Sequence, residues 1–186
     1  PSLLINYIQK NHLMKMSYLL TISMNLKIKR IMEVTKKRYD YSKKEGDRVE
    51  NDLKEKLKLL GYTVKESTVE QDRYSHIDFF VNGFGVDAKA NRHLNKIWLE
   101  ITNVNGNNGW LKGKAYYIIF EIVELNCYSV FKRIDLLNYA LTFKEHTESN
   151  NEFYKIYTRK KWNKKDEVIA VKYNDIKKYE LKRINK

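Results

Sequence analysis

Four residues with reactive side chains stand close together in the stretch His76-Ile-Asp-Phe-Phe-Val-Asn-Gly-Phe-Gly-Val-Asp-Ala-Lys89. Asn82-Gly83 lies between two strand-like runs, and this dipeptide is the strongest short signal for a β-hairpin. A two-residue turn there pairs positions whose numbers sum to 165, so position 78 faces 87 and position 76 faces 89. Asp78 and Asp87 then become cross-strand neighbours with Cβ atoms about 5 Å apart. Lys89 joins them two residues along from Asp87, and His76 falls on the same face. The other face carries Ile77, Phe79, Val81, Val86 and Ala88, which reads as core. Opposed carboxylates repel each other. A bound divalent cation offsets that repulsion, and ligation rich in carboxylate and poor in His suits Mg²⁺ or Mn²⁺ rather than zinc.

The elements that must position these groups follow from patterning. Val49, Leu53, Leu57 and Leu60 form a helical stripe that Gly61 ends, with Asp47 and Glu50 spaced as a capping box. Glu50 borders that stripe, so it reads either as a carboxylate reaching the sheet or as part of the cap. Strands are expected at 62–66, 75–81, 85–90, 97–102, 116–123 and 127–132. Residues 103–109 read as a Gly/Asn loop, 110–113 as a helical turn and 133–140 as a helix. A C-terminal hairpin over 153–159 and 167–172 is followed by a helix from Asn174. Glu100 reads first as an ion-paired strand residue and second as an aid to a metal, and His76 as a group on the site rim. Trp98 and Trp110 read as core before nucleotide-stacking groups.

Glu50 on an opening helix, Asp78 at a strand start and Asp87-Ala-Lys89 on the next strand resemble the PD-(D/E)xK nuclease superfamily. Ile97-Trp-Leu-Glu-Ile-Thr-Asn103 with Gly109-Trp-Leu111 is most similar to phage-type members. The resemblance covers about residues 46–125; Ile77 replaces the Pro of the name, and 103–114 is short where many members place a full helix. It implies a restriction-endonuclease-like mixed sheet flanked by helices, an α/β (α+β) fold. It also implies Mg²⁺-dependent hydrolysis of phosphodiester bonds in DNA by an endonuclease of phage or mobile-element type, in recombination, repair or junction resolution. Asp78, Asp87 and Glu50 would be metal ligands and Lys89 the group that orients water or neutralises charge. The alternative is a non-catalytic nucleic-acid-binding module on the same fold.

The chain has 186 residues, a formal charge of +13 and one cysteine, Cys127. A disulfide framework and a Cys-based zinc site are thereby excluded, and a reducing, cytoplasmic setting is expected. The core region 46–125 carries −1, whereas 1–31 carries +5, 32–45 carries +2 and 126–186 carries +7. Residues 1–45 are expected to be a basic extension, either non-native or loosely attached, and 46–186 a single domain with its core at 46–125 and a basic part at 126–186. The longest uncharged run in the extension is too short to span a bilayer, so no membrane partner is expected. Arg159, Lys160, Lys161, Lys164 and Lys165 surround Trp162 at the tip of the C-terminal hairpin and are expected to contact nucleic-acid phosphates. DNA is the expected partner, with RNA and a homodimer left open.

Overall fold

The computed structural model describes residues 2–91, 93–161 and 164–186, with side chains for all of these except 2–22, 25, 159–161, 164 and 165. The chain divides into two units, Pro1–Lys44 and Glu45–Lys186. Helix α1 (Ser2–Leu59) supplies the whole of the described first unit and continues as the opening helix of the second. The helix therefore does not start at Asp47, which is an exposed interior residue, and the expected capping box with Glu50 does not form. The expected stop is found. Gly61 has φ +83°, its N–H donates to Lys58 O (2.9 Å) and the Tyr62 N–H donates to Leu57 O (3.0 Å). Two such bonds satisfy carbonyls that a helix end leaves open.

The second unit holds two mixed sheets, giving an α+β architecture with helices α1, α2 (Val69–Ser75), α3 (Arg133–Ala140) and α4 (Tyr173–Ile176) among the described residues. The first sheet contains β1 (Val64–Glu66), β2 (Phe79–Val81), β3 (Phe84–Asn91), β5 (Tyr117–Ile122), β6 (Cys127–Lys132) and β10 (Glu180–Asn185), adjacent in that order. β3 and β5 are parallel and all other neighbours antiparallel. The second sheet runs β4 (Ile97–Thr102), β9 (Lys164–Val171), β8 (Ile156–Lys161) and β7 (His146–Thr147).

The first sheet is buried on both faces. On one, Val49, Leu53 and Leu57 of α1 pack against Phe79, Val86, Ile119, Tyr128, Val130 and Ile184. On the other, Ile118, Phe120 and Ile122 join Ile97, Leu99 and Ile101 of β4 and Ile169 and Val171 of β9. β5 therefore reads as a continuous apolar run, as a strand covered on both sides must. The one buried acid in that run, Glu121, is held by Arg48 of α1 (2.6 and 3.1 Å) and by the Lys186 ammonium. Burial pushes its carboxyl up, but the two cations outweigh this and hold it below the usual carboxylate range.

The C-terminus differs from expectation. The helix expected from Asn174 is the single turn α4 and a 3-10 turn (Lys177–Tyr179), after which β10 closes the edge of the first sheet. Among the described residues, no helix is long and apolar enough to cross a membrane.

Candidate active site

The β2–β3 hairpin has the predicted turn and register. Asn82 (φ 49°) and Gly83 (φ 87°) both take the left-handed region that this two-residue turn demands. Phe79 pairs with Val86, Phe80 with Gly85 and Val81 with Phe84, all consistent with the sum of 165. The ladder stops one pair short of Asp78. There the Asp78 N–H donates to Val86 O (2.8 Å), and the Asp78 carboxylate accepts the Ala88 N–H (2.7 Å). Asp78 thus reaches Asp87 and its neighbour from the strand's end rather than from within the ladder. The chain changes face here: Phe79 packs under α1, whereas Ile77 belongs to the opposite core and lies against Gly85. The expectation that Ile77 and Phe79 share a face is corrected by this break in the alternation.

The segment before Asp78 is not the long strand expected over 75–81. Residues 69–75 form α2, whose N-cap Thr68 accepts from the Gln71 N–H (3.2 Å) while the Gln71 side chain accepts the Thr68 N–H (2.9 Å). This Thr-x-x-Gln capping box was present in the sequence and signals a helix start. The start of α2 is tied to Asp78, and its C-terminal end closes on itself one residue before it. The Ser67 hydroxyl donates to Asp78 O (2.8 Å), and the Ile77 N–H returns to Gln71 O (3.3 Å). His76 is the left-handed C-cap (φ 52°), so it leaves the strand face on which parity placed it. Its Nε2 sits 3.1 Å from Asn108 O and ties α2 to the 103–109 loop.

Asp87 is the centre of the site. Its side chain is fully buried, Oδ1 accepts from the Lys89 ammonium, and Oδ2 has no hydrogen-bond partner. Burial pushes the Asp87 carboxyl up to about 8; Lys89 opposes this and Asp78 adds to it. Burial alone lowers the Lys89 ammonium, but Asp87 and Asp78 outweigh that and raise it. The Lys89 Nζ also lies 5.8 Å from the centroid of the buried Trp110 ring. An unpaired carboxylate oxygen in a low-dielectric pocket is unfavourable unless something charged or donating meets it.

Glu50 stands on α1, half-buried, and burial followed by the charge of Asp78 raises its carboxyl. Its Oε1 accepts from Lys54 (3.0 Å), which also holds Glu66 at 2.9 and 3.0 Å. Glu50 is therefore neither a cap nor in direct contact with the aspartates. Among the described residues, no three His, Cys, Asp or Glu side chains are grouped as a ready-made metal cage. Glu100, on the half-buried face of β4, is within the electrostatic reach of Lys89. Gly109 permits that approach, because a Cβ there would meet Glu100 O at 2.6 Å and Glu100 Cγ at 2.7 Å. Asp72 of α2 was not foreseen. Burial raises its carboxyl, and the charges of Asp78 and Lys89 both act on it.

The basic residues expected to contact phosphate sit in β8 and β9, with Arg159 paired to Asp166, Lys160 to Lys165 and Lys161 to Lys164. The side chains of Arg159, Lys160, Lys161, Lys164 and Lys165 lie outside the described residues. Comparison with known proteins returns no match: no family model, curated sequence or solved structure is significantly similar to the chain.

Proposed function

We propose that the chain is a Mg²⁺-dependent nuclease that hydrolyses phosphodiester bonds in DNA, a PD-(D/E)xK enzyme with a restriction-endonuclease-like core. The observation that carries this reading is Asp87: buried, salt-bridged to Lys89 through one oxygen, unpartnered through the other, and crowded by Asp78. That donor set suits Mg²⁺, which is commonly held by one or two carboxylates completed by water and substrate phosphate. That the described residues hold no three-residue cage is therefore no obstacle. The order of an acid on the opening helix, an acid directly before β2 and an acid-x-Lys on β3 supports the reading, because it resembles the order of the superfamily motif.

Asp87 and Asp78 would hold the cation, with Glu50, whose carboxyl feels the charge of Asp78, as an additional ligand or a contact through water. When bound, Mg²⁺ acidifies a water and neutralises charge building on the phosphate. Lys89 stands beside the same carboxylate with its ammonium kept charged, placed to orient the attacking water and to stabilise negative charge in the transition state. Asp78 is immobilised through its carboxylate and both of its peptide groups, so it holds its position before substrate arrives. Glu100 and His76 border the site, Glu100 beside Lys89 and His76 on the loop side.

Linear, supercoiled and branched DNA, and RNA, incubated with and without Mg²⁺, test the reading. Cleavage of DNA only with the cation is expected. Asp87→Ala and Lys89→Ala should abolish cleavage and leave binding in EDTA largely intact. Full cleavage by both variants sinks the assignment.

A further inference from the structure

The outer face of the second sheet carries an aromatic pair that the hydrolytic site does not use. Trp98 of β4 and Tyr157 of β8 are both half-exposed, with ring centroids 6.4 Å apart and planes inclined at 46°. Register places the small Ala170 opposite Trp98, and Val168 opposite both Glu100 and Tyr157. The reverse face, with Ile97, Leu99, Ile169 and Val171, is buried in the core, which fixes which side looks outward. Lys96 stands over this face. Its Nζ is 4.5 Å from the Trp98 ring centroid and 5.7 Å from that of Phe153, and it donates to Asn150 O (2.5 Å). A cation is thus fixed against aromatic rings beside solvent. Lys155, also nearby, is already engaged by Glu152 (2.9 Å) and Glu145 (3.5 Å).

Two relations give the face an occupant. First, Trp98 and Glu100 share one side of β4, about 7 Å apart along the strand. Glu100 in turn lies against Gly109 and within the field of Lys89. The aromatic pair thus shares a face of the second sheet with the β4 acid whose charge reaches Lys89. Second, the same sheet sets Lys160 opposite Lys165 and Lys161 opposite Lys164 in register. Basic residues thus occupy paired positions of this sheet, and a polyanion is the partner of complementary charge. Half-exposed rings beside the fixed Lys96 ammonium, on the sheet that carries these basic positions, suit a strand whose bases are unpaired. In a duplex each base face is already covered by its neighbour, whereas a single strand can lay its bases on protein rings.

We infer that Lys96, Trp98 and Tyr157 form a stacking site for single-stranded nucleic acid, so that the enzyme acts where a strand is unpaired. This rests on the nuclease reading for its biological sense but is tested without it. The full-length protein is titrated, in EDTA, into a fluorescently labelled oligothymidylate and a labelled duplex of equal length, with anisotropy as readout. Trp98→Leu and Tyr157→Leu should each weaken oligothymidylate binding about fivefold or more, with a smaller change for the duplex. Trp98→Phe should recover most of the loss. Circular dichroism melts establish that each variant is folded; if Trp98→Leu does not fold, Tyr157→Leu and Trp98→Phe decide. Wild-type affinity for oligothymidylate in a folded Tyr157→Leu or Trp98→Leu protein overturns the inference, even if duplex DNA is still cut with Mg²⁺. Ring-dependent binding of the single strand without cleavage of any nucleic acid supports the inference and overturns the nuclease reading instead.

Discussion

Asp87 sets a stability cost that its chemistry explains. Burial raises its carboxyl to about 8, and one of its oxygens has no partner. An acid whose pKa is raised on folding binds a proton in the native state that the unfolded chain, with an ordinary Asp pKa of about 3.9, gives up. Native-state stability therefore falls as pH climbs from about 4 to about 8. Asp87→Asn should remove this fall, and at pH 9 without divalent cations it should melt higher than wild type. Mg²⁺ should raise the melting midpoint of wild type and leave Asp87→Asn unmoved, because a ligand stabilises only the state that binds it. Melts at pH 5 and pH 9, with and without Mg²⁺, check both statements. Other acids shift too, upward for Glu50 and Asp72 and downward for Glu121, so the difference between the two proteins is the quantity to read. A difference that does not change with pH counts against a strained Asp87. At this scale the sequence was informative where parity held: Asp78, Asp87 and Lys89 are brought together. His76 was misplaced because one left-handed residue removes it from the strand, and residue type alone did not announce that conformation.

Among the elements, those with local chemical signals were legible. Asn82-Gly83 determines its turn because both residues tolerate positive φ, and the turn determines the register. Gly61 ends α1 for a related reason. Helix α2 was missed although Thr68 and Gln71 spelled its start, since none of its residues is buried and it shows no apolar stripe. The element matters because Ser67, directly before its N-cap, holds the Asp78 carbonyl, and its C-terminal turn fixes Ile77 just before Asp78. Thr68→Ala removes the cap and should lower stability by about 1 kcal/mol, the usual cost of losing an N-cap side chain. Its effect on cleavage should be larger than so small a loss implies, because frayed α2 frees Asp78. Urea melts paired with kcat and KM for a DNA substrate test this. A wild-type kcat at full loss of the cap would show that α2 does not position Asp78.

Long-range organisation lay beyond the sequence. Ile97–Thr102 reads as a strand in either sheet, and only its pairing with β9, some seventy residues on, sends it to the second. β10 was hidden in the same way, since a lone Ile184 buried against α1's partners leaves little alternation to read. Charge was legible only as a total. The +13 resolves into a near-neutral stretch over 46–125, +7 over residues 1–45 and +7 over 126–186, the last including the basic strands β8 and β9. The opening helix shows how the extent of the chain decides what a local signal does. Every described side chain between residues 23 and 44 is exposed, and the buried stripe begins at Val49. A fragment of residues 45–186 should therefore fold cooperatively and keep Mg²⁺-dependent cleavage. In that fragment Asp47 stands at a helix start with Glu50 three residues on, the capping box that the continuous helix silences. Asp47→Ala should then act with opposite sign in the two proteins. In the fragment it loses a cap and costs about 1 kcal/mol. In the full chain it replaces a poor interior helix residue with the best one and gains a few tenths of a kcal/mol. Equal and destabilising effects in both would mean that the full-length helix also begins near Asp47 in solution.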